Sequence, residues 1–318
     1  MTNDARTALI TGSGGQDGSY LAELLIGKGY VVHGVERTPQ RSQQNITVHV
    51  GDVADAKTMR RIIEAVQPDE IYHLAGQSHV GRSFEVPEES CEKTAMATLR
   101  LLEIVRARGK RPRVFHASSA EIFGNADETP QTESTSIRPT SPYGCAKAFA
   151  TQIARVYREA YGVFVCNGIL FNHESPRRGE NFVTRKIARA VARIARGLDR
   201  DVVLGNLESR RDWGRAEDYV EAMWLMLQHE TPDDYVVATG ETHSVREFVE
   251  AAFEVVNLPW RDYLRQDPTL YRPADVRQLV GSSDKIRETL GWKPRGTFKQ
   301  LVREMVEAEL AEIDRAAA

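Results

Sequence analysis

An α/β fold, a doubly wound parallel sheet with a smaller mixed α/β lobe, is predicted by three observations. Apolar runs of strand length alternate with helical periodicity from residue 8 to residue 170, a glycine-rich turn joins the first run to the first helix, and the rhythm loosens after residue 171. Ala8-Leu9-Ile10 is the first strand, and Tyr20, Leu21, Leu24 and Leu25 give the helix after it one apolar face. Tyr30 to Val35, Ile46 to Val50, Glu70 to Ala75, Val114 to Ser118 and Val163 to Leu170 are the next strands. Helical patterns fill 56–66, 92–108 and 142–161 between them. Beyond residue 171 the spacing predicts a basic helix over 182–197, a short strand at Val202-Val203-Leu204 and a helix from Tyr219 to Leu227. A dinucleotide-binding domain is therefore expected over 1–171, completed by about 208–238, with a second lobe from 172–207 and 239–318.

Composition narrows the function classes. The 318 residues carry 42 Lys and Arg against 45 Asp and Glu, a net charge of −3, and the basic residues are dispersed. Such a chain has no field for a nucleic-acid backbone, so no nucleic-acid partner is expected. No apolar stretch nears the ~20 residues of a membrane span, and the polar start Met1-Thr-Asn-Asp4 lacks a signal-peptide core. No membrane partner and a cytoplasmic location are the expectation. Cys91, Cys145 and Cys166 are an odd, scattered set, read as buried or inert thiols and not as a disulfide framework or zinc site.

Gly12, Gly15 and Gly18 form a G-x-x-G-x-x-G turn between the first strand and its helix, enclosing Gln16 and Asp17. Glycines there let backbone N–H groups approach a pyrophosphate that the helix N-terminus also favours, which makes the domain Rossmann-type and these residues cofactor-binding candidates. At the end of the second strand an acid binds adenosine ribose hydroxyls and a base binds a 2′-phosphate. The chain offers both, Glu36 for NAD and Arg37 for NADP, with Arg41 and Ser42 nearby, and the choice stays open. Asp52 and Val53 are placed for the adenine, and Leu74, Ala75 and Gly76 for the backbone beneath the cofactor.

Tyr143 and Lys147 stand at i and i+4 of one predicted helix, so an ammonium one turn away could lower the phenol pKa and bind the nicotinamide ribose. Ser118-Ser119, ending the fifth strand, offers a hydroxyl for the substrate oxygen that Tyr143 deprotonates. This set oxidises an alcohol or reduces a ketone by hydride transfer. Glu121 adds a carboxylate that alcohol oxidation does not need but that proton removal beside a new ketone does.

With these residues assembled, the sequence resembles the extended short-chain dehydrogenase/reductases that modify nucleotide sugars, and within them the GDP-mannose 4,6-dehydratases. The resemblance spans nearly the whole chain and includes Gly15-Gln-Asp-Gly-Ser-Tyr-Leu-Ala-Glu23, Gln77-Ser-His-Val80, Ser141-Pro-Tyr-Gly144, the block from Asn167 to Gly179, Phe182-Val-Thr-Arg-Lys186 and Arg211-Asp-Trp-Gly214. It implies a lyase that turns GDP-mannose into GDP-4-keto-6-deoxy-mannose and water by internal hydride transfer, with NADP tightly bound and recycled and NAD as the other possibility. By the same resemblance Ser119, Glu121, Tyr143 and Lys147 are catalytic. Ser78, Ser83, Asn172, Lys186, Arg211 and Arg272, with Val183 and Gly205 more weakly, match positions that hold the GDP-sugar. His173 is read as structural, and no metal is expected.

Three departures qualify the resemblance. Ser119 replaces a Thr, Asp275 replaces a Glu, and the loop after the second strand is short, with Arg37-Thr38 in place of paired arginines. The last weakens the NADP assignment and, because that loop helps dimers pair, favours a homodimer over a tetramer. Three readings compete with GDP-mannose dehydration: a GDP-heptose dehydratase, a GDP-4-keto-sugar reductase or epimerase, and a silent nucleotide-sugar or dinucleotide sensor. A pure binder needs none of the acid–base set.

Overall fold

The computed structural model describes residues 5–38, 45–271, 276 and 278–317. Thirteen strands lie among them: β1 (Thr7–Thr11), β2 (Val31–Glu36), β3 (Thr47–Val50), β4 (Glu70–His73), β5 (Arg113–Ala117), β6 (Val165–Leu170), β7 (Asn172–Glu174), β8 (Val202–Leu204), β9 (Arg210–Arg211), β10 (Trp213–Arg215), β11 (Asp234–Val237), β12 (His243–Ser244) and β13 (Leu264–Gln266). The α-helices are α1 (Gln16–Gly27), α2 (Ala56–Val66), α3 (Val80–Ser83), α4 (Pro87–Cys91), α5 (Ala97–Arg106), α6 (Pro142–Tyr161), α7 (Val183–Ala195), α8 (Ala216–Gln228), α9 (Val245–Val255), α10 (Asp284–Leu290) and α11 (Phe298–Ala317). One π-helical turn, Glu92–Met96, precedes α5, so the helix expected from 92 is straight α only from 97.

Seven strands form one parallel sheet in the order β3-β2-β1-β4-β5-β6-β11. The order reverses between β1 and β4, and the crevice at the strands' C-terminal ends there is where such sheets bind ligands. Leu21 and Leu25 of α1 and Met223 and Met226 of α8 cover one face. Ile62 and Ile63 of α2, Leu101 and Leu102 of α5, and Ala154 and Tyr157 of α6 cover the other. Each large apolar side chain so buried contributes roughly 1.5–3 kcal/mol. Strands covered on both faces carry no alternation, which is why β6 is buried along its whole length.

The run 208–238 supplies α8 against α1 and β11 at the sheet edge beside β6. Ile286 of α10 and Trp292 pack into the same cluster as α1 and α8. A separate core joins Ile187 and Val191 of α7, Phe248 and Phe253 of α9, and Val302 and Met305 of α11 around Trp213. Local chemistry sets the helix ends that matter for the site. Ser141 caps α6 by accepting from the Gly144 N–H at 3.0 Å, Pro142 opens the helix, and Gly162 closes it in the left-handed region. No helix among the described residues is long and apolar enough to cross a membrane.

Candidate active site

Gly12 leaves β1 at φ +76°, a conformation suited to glycine, and its N–H donates to Val35 O at 2.9 Å. A Cβ on Gly18 would stand 2.3 Å from Gly12 O and 2.6 Å from Ser13 Cα, so only glycine lets α1 pack this close under the turn. The free N–H groups of the first turn of α1 are thereby held at the crevice, a fit for a dinucleotide pyrophosphate. Gln16 is a tie: its amide donates to Asp17 Oδ1 and His173 O, and its carbonyl accepts from Ser175. Asp17 pairs with His173 Nε2 at 2.8 Å and lines the cavity beyond.

Two adjoining cavities, about 290 and 330 Å³, share Ser78, His79 and Asn181. The larger is walled by Gly12, Glu36, Arg37, Asp52, Val53, Ala75 and Gly76, as expected for the adenosine end, with Arg82, Glu89 and Lys93 besides. Leu74 faces the other cavity. Arg41 and Ser42 lie outside the described residues.

Ser119, Glu121, Tyr143 and Lys147 converge on the smaller cavity. Tyr143 and Lys147 come from the first two turns of α6, and Ser119 and Glu121 from a 3₁₀ turn after β5 that Ser119 caps by accepting from Glu121 N–H at 3.3 Å. Burial raises the Tyr143 phenol to about 12, a hydrogen bond from Ser119 opposes that rise, and the Glu121 carboxylate adds to it. The expectation that Lys147 lowers this pKa is corrected here. The ammonium lies 5.9 Å from the phenol ring centroid and donates to Ala117 O at 2.6 Å, and burial brings Lys147 itself down to about 8. Of the serine pair, Ser119 serves the site, because the Ser118 hydroxyl is engaged with Thr151 Oγ1 at 2.6 Å.

Beneath α6 a polar row crosses the sheet. Thr11, His73, His116, Asn167 and Asp234 are successive register partners on β1, β4, β5, β6 and β11. Thr11 Oγ1 accepts from the Leu74 and Ala75 N–H groups and so donates to His73 Nδ1 at 3.0 Å. Asn167 donates its amide to Asp234 at 2.8 Å, which leaves its carbonyl to accept from His116 Nδ1 at 2.8 Å. Burial and then the Lys147 charge lower both imidazole pKa values, His73 to about 3, so the two imidazoles stay neutral under the ammonium.

The structure sorts the remaining candidates. Ser78, Asn172, Val183, Gly205 and Arg211 line the catalytic cavity. Lys186 does not: its ammonium donates to Val203 O at 2.7 Å. Ser83 is fully buried and donates to Val80 O at 2.6 Å, outside both cavities. Arg272 and Asp275 lie outside the described residues. The reading of all three cysteines as buried or inert is met in its burial only by Cys166, since Cys91 and Cys145 are exposed. Arg178 was missed: it lines the cavity, stacks 3.6 Å over Phe182 and pairs with the buried Glu174 at 3.1 Å. Its position four residues before Phe182, in a basic pair, was the available signal.

The family model described as GDP-mannose 4,6 dehydratase matches residues 9–305. The chain belongs to the GDP-mannose 4,6-dehydratase family. It is 50% identical over 325 residues to GDP-mannose 4,6 dehydratase 2 of Arabidopsis thaliana, covering 96% of this chain and 87% of that one. Among solved structures, the UDP-glucose 4-epimerase of Thermus thermophilus in complex with NAD superposes with TM-score 0.85 at 26% identity, over 95% of this chain and 98% of the other. The RMD of Pseudomonas aeruginosa complexed with NADPH gives 0.83 at 25%, over 96% and 100%.

Proposed function

We propose that this enzyme converts GDP-mannose to GDP-4-keto-6-deoxy-mannose and water, holding a nicotinamide dinucleotide along the two cavities. The observation that carries this reading is the convergence of Glu121 with Ser119, Tyr143 and Lys147 on one cavity of a chain in this family. The bound dinucleotide supplies a hydride acceptor for C4 and, later in the same turnover, a hydride donor for C6.

Ser119 and Tyr143 hold the C4 hydroxyl, and Tyr143 removes its proton as the C4–H bond breaks. Lys147, its ammonium held by Ala117 O at 2.6 Å, binds the nicotinamide ribose beside that phenol. The 4-ketone makes the C5 proton acidic, and Glu121 removes it and delivers it to the C6 hydroxyl, which leaves as water. As hydride returns to C6, C5 takes a proton that balances the one Tyr143 took from the C4 hydroxyl, so the cycle resets Tyr143 and consumes neither protons nor reducing equivalents. Arg211 and Arg178, with Asn172, are placed for the diphosphate and sugar, a doubly charged ligand that guanidinium groups suit.

The reading includes a homodimer and a cytoplasmic site of action. Phe149 and Val156 of α6 are exposed apolar side chains that a helix from a second copy would cover. The deciding experiment incubates purified protein with GDP-mannose and a catalytic amount of NAD or NADP, without reductant, and follows nucleotide-sugar mass. Loss of one water supports the reading. An unchanged mass overturns it, and GDP-heptose, then a 4-keto sugar with reduced cofactor, are the next substrates.

A further inference from the structure

We propose that Glu36 makes this enzyme selective for NAD(H) over NADP(H); the inference rests on the dinucleotide site of the dehydratase reading. Glu36 is the last residue of β2, and the hydrogen bond from Gly12 N–H to Val35 O at 2.9 Å stitches the glycine turn to that strand end. The carboxylate is folded onto the turn. Ser13 Oγ donates to Glu36 Oε1 at 2.7 Å, and a Cβ on Gly14 would stand 3.0 Å from the Glu36 carboxyl carbon. Glu36 is only 8% exposed, and what remains open faces the cavity it shares with Gly12, Asp52, Val53 and Gly76.

A buried carboxylate fixed there before any ligand arrives suits the paired hydroxyls of an adenosine ribose, which donate to it. A 2′-phosphate carries close to two negative charges at neutral pH and would be pressed against that carboxylate in a setting that screens it poorly. Among the described residues, the cations that line the cavity gather at Glu89, a carboxylate on its own wall and apart from Glu36. Lys93 pairs with Glu89, Arg82 stands 3.8 Å from the same carboxylate, and Arg37, which is exposed, also interacts with Glu89. Arg37 is thus the weaker of the two signals at the end of β2, and Glu36 decides.

The test titrates the purified full chain with NADH and NADPH by nucleotide fluorescence, and identifies by mass any nucleotide released on denaturation. Wild type is expected to bind NADH at least about tenfold tighter and to release NAD(H). Glu36→Gln is expected to weaken NADH by about tenfold to a hundredfold, the effect of losing hydrogen bonds to a charged acceptor. Glu36→Ser should lower or invert the preference. Wild-type protein that binds NADPH as tightly as NADH, or that releases NADP(H), overturns the proposal and leaves the dehydratase reading standing. No affinity for either overturns both. Should the variants fail to fold, as judged by circular dichroism, the wild-type pair of titrations decides alone.

Discussion

Asp17, in the first turn of α1, and His173, in β7 just past the end of β6, form a 2.8 Å pair at the junction of the glycine turn and the catalytic cavity. Burial works to raise the Asp17 carboxyl, but the charge and hydrogen bond of His173 outweigh it and hold the group at about 2, against an ordinary 3.8. His173 is raised in return, burial opposing and Asp17 prevailing. Asp17 therefore contributes stability that is present above 3.8 and lost as pH falls toward about 2. The His173 contribution is present below 6.5 and lost as pH rises through its raised value. Asp17→Asn should cost about 2 kcal/mol near pH 5 and flatten the acid limb of a plot of Tm against pH. An unchanged acid limb would show that the pair carries no such linkage.

Tyr143→Phe should lower product formation by about 10²–10⁴-fold, because it removes the hydroxyl that takes the C4 proton in the proposed reaction. The ammonium of Lys147 is lost as pH rises through about 8, so kcat/KM should fall above that pH. In Lys147→Arg, whose charge does not titrate there, the alkaline limb should move upward even though activity is reduced. A wild-type profile that stays flat well past pH 8 would remove the ammonium from the mechanism.

Glu121→Gln keeps the size of the side chain and removes its basicity. Oxidation at C4 needs only Ser119, Tyr143 and Lys147, so this variant should reduce its bound cofactor in a single turnover and stall there. Stopped-flow absorbance should show reduced nicotinamide accumulating while no deoxy-sugar forms. Turnover at the wild-type rate would withdraw the base assignment.

Features carried by local chemistry were legible in the sequence. The glycine turn follows from a strand meeting a helix, and helical periodicity placed α6 at 142–161, where its cap, its proline and its glycine do end it. What stayed hidden depends on distant chain or on side-chain direction. β11 is a strand because β6, nearly seventy residues earlier, offers it an edge. Helical spacing placed Lys147 one turn from Tyr143, yet the carbonyl of Ala117, on another element, captures its ammonium. Lys186 and Ser83 match family positions, but backbone carbonyls, Val203 O and Val80 O, take up their polar groups, and neither residue lines a cavity.

The two serines after β5 separate positioning from folding. Ser119 hydrogen-bonds the Tyr143 phenol and caps the turn that carries Glu121, so Ser119→Ala should lower kcat by about 10²-fold with little change in Tm. Ser119→Thr keeps the hydroxyl and should restore most of that loss. Ser118 points to α6, where its partner Thr151 also donates to Lys147 O at 2.8 Å and so retains one bond when Ser118 is truncated. Ser118→Ala should accordingly cost about 1 kcal/mol of stability while kcat changes by less than about threefold. Measuring kcat and Tm side by side for the three variants checks the assignment. If Ser118→Ala abolished turnover and Ser119→Ala did not, the hydroxyl that meets the substrate oxygen would be the one now placed against Thr151.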